Sequence, residues 1–350
     1  MRAPSLVHYV LSAAGAITLL AGCSGNGSQV SPLAGGTNAV QSVAREPAGS
    51  IGEQVRFNSL AARQVPGGAP VSTESWMKRV DATQRLTYIS QSTGGGNAQI
   101  GVFGRNAENI GTIFGLQNAI GLFVDGKRNL WVANYGGHQV LEFARGGTSP
   151  IKTLNDPNEY TYDVTICPNG TIYASNVSDT GSNPGSISVY AGGSINPTST
   201  LTLPQPLYYL FLTCDAQNNV FSTFYNRASP GGGVAEFPLG SETGAHLLPV
   251  TSPSLTGIKP NSAGNLLIND WSGNTLCEYT EAGSPTGTCV ATTGEWTDIA
   301  VTRDGKTALG ISETNANGVA LLWPSGTMRQ TYKVPGSPNG VAFDPGMKGI

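Results

Sequence analysis

Five stretches of the sequence follow one pattern: an apolar strand, a tight turn rich in Asp, Asn and Gly, a second strand, then a polar loop. They read GLFVDGKRNLWVAN from Gly121, DVTICPNGTIYASN from Asp163, FLTCDAQNNVFSTF from Phe211, GIKPNSAGNLLIND from Gly257 and IAVTRDGKTALGIS from Ile299. The first core residue after each turn is Leu130, Ile172, Val220, Leu266 and Leu309, at steps of 42, 48, 46 and 43. A recurring period in this range marks a chain built from supersecondary units that bury their apolar faces on one another. Two half-copies flank the five. RLTYIS places Leu86 44 residues before Leu130 without a good strand ahead of it, and NGVAFDPG from Asn339 supplies a first strand and its turn before the chain ends.

Each half-copy holds what the other lacks. If the tail returns to the head, Val341–Phe343 becomes the innermost strand of the blade that begins at Leu86, with outer strands near 99–103 and 111–114. The expected fold is all-β: a six-bladed β-propeller closed by its C-terminal strand joining the N-terminal blade. Radial closure leaves only short, protected sheet edges. Composition agrees. The 350 residues include 47 Gly and only 12% charged residues. That is about twice the usual Gly share and half the usual charge, which suits short strands and turns rather than helical bundles. With 19 basic against 22 acidic residues and a net charge of −3, the chain is not built to grip nucleic acid through its phosphates.

The first 22 residues carry Arg2, an apolar run from Val10 that is too short to span a bilayer, and the tetrad Leu20-Ala21-Gly22-Cys23. This resembles the signal peptide and lipobox of bacterial lipoproteins, which implies cleavage before Cys23 and acylation of its thiol (palmitate among the acyl groups). A multiply acylated protein is anchored firmly without spanning the membrane. Ser24, in place of Asp, points by the same analogy to the outer membrane or cell surface. Residues 23–80 hold Gly, Ser, Ala, Gln and Pro without apolar periodicity and are expected to form a flexible tether. Residues 81–350 are expected to be the propeller.

The stretch Leu122–Phe143, with its Asp125-Gly126 turn, its Leu130–Asn134 strand and its Gly137-His138-Gln139-Val140 step, resembles an NHL repeat. The resemblance covers the repeat region in outline. In such blades the first-to-second strand turns lie on one face, and the second-to-third and blade-to-blade loops on the other. The former are short here and the latter longer, and the long-loop face collects aromatics, Tyr160 and Tyr209 among them, of which Tyr135, Tyr162, Tyr208, Tyr225, Trp271 and Trp296 are the candidate binding residues. Function on rigid frames concentrates in such loops, so this face is expected to bind a protein or a cell-envelope carbohydrate. The protein is expected to be a monomer with no cofactor.

Gluconolactonase-like proteins and streptogramin lyases have similar blades, so a metal-dependent hydrolase or lyase at the channel mouth is a second reading. Asp163, Asp298, Asn134, Asn176 and Asp270 would then hold a divalent cation such as calcium. His138, inside a repeat motif, reads as structural, and no Ser/His/Asp set or phosphate-cradling loop stands out. After Cys23 four cysteines remain. Cys277 and Cys289 flank a hairpin turn and are expected to bridge it. Cys167 and Cys214 lie near the ends of adjacent innermost strands, one step out of register, which leaves their pairing open. An even set of cysteines suits an oxidising compartment.

Overall fold

The computed structural model describes residues 74–178, 184–205, 207–226, 231–312 and 317–345. The lipobox, Cys23 and the tether up to residue 73 lie outside the described residues.

Six four-stranded antiparallel units follow one another around a ring. Blade 1 comprises Ser337–Asp344 innermost, then Leu86–Gly94, Asn97–Phe103 and Asn109–Gln117. Blade 2 comprises Ala119–Val124, Leu130–Asn134, Gln139–Phe143 and Pro150–Asn155. Blade 3 comprises Glu159–Ile166, Ile172–Ser178, Ile187–Tyr190 and Ser199–Leu201. Blade 4 comprises Leu207–Cys214, Val220–Asn226, Gly232–Phe237 and His246–Ser252. Blade 5 comprises Leu255–Pro260, Leu266–Asp270, Thr275–Tyr279 and Pro285–Ala291. Blade 6 comprises Trp296–Val301, Thr307–Ser312, Asn317–Leu322 and Thr327–Lys333. The protein is a six-bladed β-propeller, and the tail supplies the innermost strand of the first blade, with Leu86 opposite Asp344 and Ile89 opposite Val341. The propeller takes in residues that the sequence reading left in the tether. Trp76–Met77 pairs with Thr112 and Gly111 as a fifth, outermost strand of blade 1. Two residues are too few to show a period, and this strand is fixed by bonds from Phe114 N to Ser75 Oγ (2.8 Å) and Lys78 N to Ile110 O (2.8 Å).

Inner strands lie between neighbouring blades and are buried on both faces, so they read as continuous apolar runs; seven of the eight residues in LYYLFLTC are buried. Outermost strands face water and alternate, as in His246–Ser252. Each first turn is pinned by the residue three places after its start, which takes positive φ: Arg128, Gly170, Asn218, Gly264 and Gly305. Gly and Asn enter that left-handed region at low cost, which is why the turns share their composition. Arg128 is the exception, and its side chain has a separate task. Its Nε sits 2.5 Å from Asp344 on the closing strand, and Arg145 Nε is 2.5 Å from the other carboxylate oxygen. Both guanidinium groups also donate to the Gln84 carbonyl.

In all six blades a bulge interrupts the pairing of innermost and second strands. A bulge leaves backbone groups out of the ladder, and here the preceding blade satisfies several of them. Ser90 Oγ donates to Ile120 O (2.6 Å), Ser175 Oγ to Leu210 O, and Thr256 Oγ1 and Asn269 Nδ2 to Trp296 O (3.1 and 2.6 Å). The blades are thus stitched to one another around the axis.

Both disulfides form. Cys277 and Cys289 face each other across the third and fourth strands of blade 5, with Cα atoms 4.1 Å apart. Cys167 and Cys214 join blade 3 to blade 4 across 5.4 Å.

Candidate functional site

The long-loop face carries a tyrosine cluster over blades 2 to 4. The turn after Leu130–Asn134 presents Tyr135 and, in a left-handed conformation, His138. The start of the blade 3 inner strand inserts Tyr160 between them. Tyr160 stacks on Tyr135 (centroids 4.6 Å, planes 7° apart) and on His138 (4.8 Å, 26°). His138 Nδ1 lies 2.7 Å from Glu159 O, which fixes the imidazole plane. Burial, with the nearby Tyr160 and Tyr208 hydroxyls, pushes the Tyr135 phenol above the ordinary tyrosine range. Tyr160, Tyr208 and Tyr225 are half-buried and pack against one shared apolar cluster.

Two of the six aromatic candidates do not belong to this surface. Trp296 is 0% exposed, because Gly310 on the adjoining strand opens a slot for its indole; a Cβ at residue 310 would collide with the ring. Tyr162 is 2% exposed and packs edge-on against Phe211 at 5.2 Å. Their positions at inner strands turn them into the core. Trp271 follows the second strand of blade 5 and is half-buried. His138, which the sequence reads as structural, is the member whose place in the cluster comes only from the fold: it sits in the turn between the second and third strands of blade 2, where Tyr160 from the start of blade 3 reaches it.

Of the five proposed metal ligands, the structure brings two together, around a residue that sequence reasoning missed. Asp163 and Asp298 lie fully buried beside the axis, and Lys259 reaches in from the blade between blades 4 and 6. Its Nζ lies 3.5 Å from Asp163 Oδ2 and 3.3 Å from Leu212 O. Asp163 Oδ2 also accepts the Leu212 amide (3.0 Å), while Asp298 accepts those of Ile299 (2.7 Å) and Val341 (3.0 Å). Burial raises both carboxyl pKa values above the ordinary 3.8, that of Asp298 to about 7, and the Lys259 ammonium draws both back down. The ammonium supplies the positive charge that a bound cation would otherwise bring, and one oxygen of each carboxylate accepts a backbone amide of the next blade.

The other three are dispersed. Asn134 Oδ1 accepts from Gln117 N (2.7 Å). Asn176 donates to Ser188 (2.9 Å), itself bonded to Asp156 (2.8 Å), whose carboxyl burial lifts to about 6. Asp270 closes its own loop through Ser252, Ser272 and Gly273 N. Among the described residues no three His, Cys, Asp or Glu side chains gather in a metal-holding group. The calcium site drawn from the sequence is therefore not assembled by these five residues, because Asn134, Asn176 and Asp270 each bond within separate networks away from the Asp163–Lys259–Asp298 group.

A fold closed by its own tail, with blades stitched at several bulges and a rigid aromatic cluster on one face, defines a β-propeller scaffold. No protein-family model matches the chain, and no curated protein does. Among solved structures it is similar to a chain of a nidogen/laminin complex, at 12% identity over 74% of this chain and 98% of that one, with a TM-score of 0.59. It is also similar to a Lactobacillus plantarum protein, at 14% identity over 75% and 86% with a TM-score of 0.51. For streptogramin B lyase the values are 15% over 76% and 89%, with a TM-score of 0.50. At such identities the likeness shows the fold. The two disulfides mark a protein of an oxidising, extracytoplasmic compartment. Among the described residues no helix is long and apolar enough to cross a membrane.

Proposed function

We propose that this chain is a lipid-anchored, NHL-type propeller of the bacterial cell envelope whose long-loop face docks a protein partner. The observation that carries this reading is the Tyr135–Tyr160–His138 stack. Tyr160 spends both ring faces on its neighbours, so the stack offers rigid edges and polar tips rather than open faces for a sugar ring. Aromatic anchors whose conformational entropy is already spent are the kind that dominate protein–protein affinity. Tyr208 and Tyr225 extend the patch over blade 4.

A photo-crosslinking phenylalanine analogue placed at 208 or 225 should capture one envelope protein in cells. The same analogue at 127, on the opposite face, should not. Tyr160→Ala should abolish the adduct, since loss of a central anchor costs about 2 kcal/mol or more. Adducts to glycan only, or identical adducts from position 127, would defeat the reading. The anchor is tested separately: Cys23→Ala should move the protein from membranes to the soluble fraction, and continued sedimentation with membranes would refute acylation.

A further inference from the structure

The opposite, short-turn face holds a feature that the tyrosine cluster does not explain. A cleft of about 940 Å³ opens between blades 6 and 1, where the chain closes. Arg85, Arg105, Arg303 and Arg329 line it. These are four of the seven arginines in the described residues (the others are Arg79, Arg128 and Arg145). All four are exposed, and among the described residues none lies within ion-pair distance of a carboxylate. In a chain of net charge −3, more than half of the arginines among the described residues therefore gather at one opening.

The acids nearby do not cancel this charge. Asp344, in the cleft wall, is held by Arg128 and Arg145. Asp304 accepts from Thr302 Oγ1 (2.7 Å) and Lys306 N (3.1 Å), bonds that, with Lys306 and Arg85 nearby, hold its carboxyl below the usual range. Glu108 accepts from Asn106 N (2.9 Å). Four guanidinium groups thus face one exposed acid in the cleft, Asp304, with Glu108 at its edge.

The floor is built and rigid. Tyr332 is buried, takes a hydrogen bond from Thr87 (3.2 Å) and packs edge-on against Phe103 at 5.6 Å. Phe343 of the closing strand lines the cleft beside it. Gln330 Nε2 donates to Arg105 O (3.1 Å) and ties the blade 1 hairpin to blade 6. Arg329 Nη1 donates to Thr307 Oγ1 (3.2 Å), which leaves its other donors available.

We infer that this cleft binds the phosphoryl group of an organic phosphate, with the guanidinium groups on the oxyanion and the organic body over Tyr332 and Phe343. Guanidinium forks match the planar and tetrahedral oxyanions bidentately. The concentration of charge favours a phosphate over a single carboxylate, and the aromatic floor favours a ligand with a body over a bare ion. A free sugar phosphate and a phospholipid headgroup share this chemistry.

Calorimetric titration of the full chain in detergent separates the alternatives, using hexose 6-phosphate, glycerophosphoglycerol as the headgroup probe, unphosphorylated hexose and citrate. We expect saturable binding of a phosphate-bearing probe and none of the hexose, with affinity falling as salt rises. Arg303→Ala and Arg329→Ala should each weaken binding about tenfold, while Lys127→Ala, outside the cleft, should not. Arg303→Lys should recover only part, since a point charge replaces the fork. The tighter of the two phosphate probes identifies the source. An unchanged melting midpoint in the variants checks that the fold is intact. The inference fails if neither phosphate probe saturates, if the alanine variants bind as the parent does, or if citrate binds more tightly than both.

Discussion

The ring is fastened differently on its two sides. Between blades 3 and 4 the fastening is covalent: Cys167–Cys214 joins neighbouring inner strands at the short-turn face. At the closing side it is ionic. Asp344, on a strand that reaches blade 1 only after the chain has gone round, is gripped by Arg128 and Arg145 of blade 2, which also hold the carbonyls of Asp81 and Gln84 at the start of the propeller. Blades 3 and 4 are consecutive in sequence, so the bridge closes a loop of 47 residues. The closing strand must find a partner that lies some 250 residues earlier, as Leu86 and Asp344 do. Such long-range pairing recovers its loop-closure entropy only once contacts form, and a doubly bonded, buried carboxylate gives that last step a defined register.

Breaking the ionic fastening should have the largest effect. Asp344→Ala leaves two guanidinium groups facing a partner that is gone and is expected to cost about 3–5 kcal/mol, the range for removing one member of a buried ionic cluster. Urea unfolding followed by tryptophan fluorescence measures it. A loss below about 1 kcal/mol would show that strand pairing alone closes the ring. Cys167→Ser with Cys214→Ser should cost less, about 2–4 kcal/mol, mainly by freeing the unfolded chain. If the two variants rank the other way, the covalent side is the weaker one without its bridge, and the comparison inverts.

Much of this architecture is legible in the sequence, and the reason is periodicity. The spacing of Leu130, Ile172, Val220, Leu266 and Leu309 counts the blades, and the incomplete copies at Leu86 and Asn339 reveal closure, because a missing strand is a long-range constraint written locally. The hairpin bridge Cys277–Cys289 is readable for the same reason. What escapes is decided by juxtaposition. Arg85, Arg105, Arg303 and Arg329 meet only because residue 85 and residue 303 become neighbours when the ring shuts. Lys259 reads as an ordinary strand residue until three inner strands surround it. Trp296 looks like a surface aromatic, and the Gly310 that buries it lies on the next strand. Trp76–Met77 is too short to carry a pattern at all.

The axis offers a finer comparison, since its buried charge comes from three of the six blades. Asp163, Lys259 and Asp298 belong to blades 3, 5 and 6, while the matching positions of blade 2 are Gly121 and Phe123. Both carboxyls have folded-state pKa values above the unfolded value of 3.8, Asp298 at about 7. A raised acid binds its proton more tightly when folded, so its contribution to stability is greatest at low pH and is lost as pH climbs from about 4 through 7. Lys259 opposes that loss by favouring both charged forms. Replacing it with Met should therefore matter least at pH 4.5, where the Asp298 carboxyl is protonated in the folded chain. The cost should grow towards about 2 kcal/mol at pH 8, below the full cost of breaking a buried pair because Lys259 retains some contact with water. Denaturant midpoints of the parent and Lys259→Met chains across that range should diverge with rising pH. Parallel curves would mean that the ammonium fills space at the axis and that its charge is neutralised elsewhere.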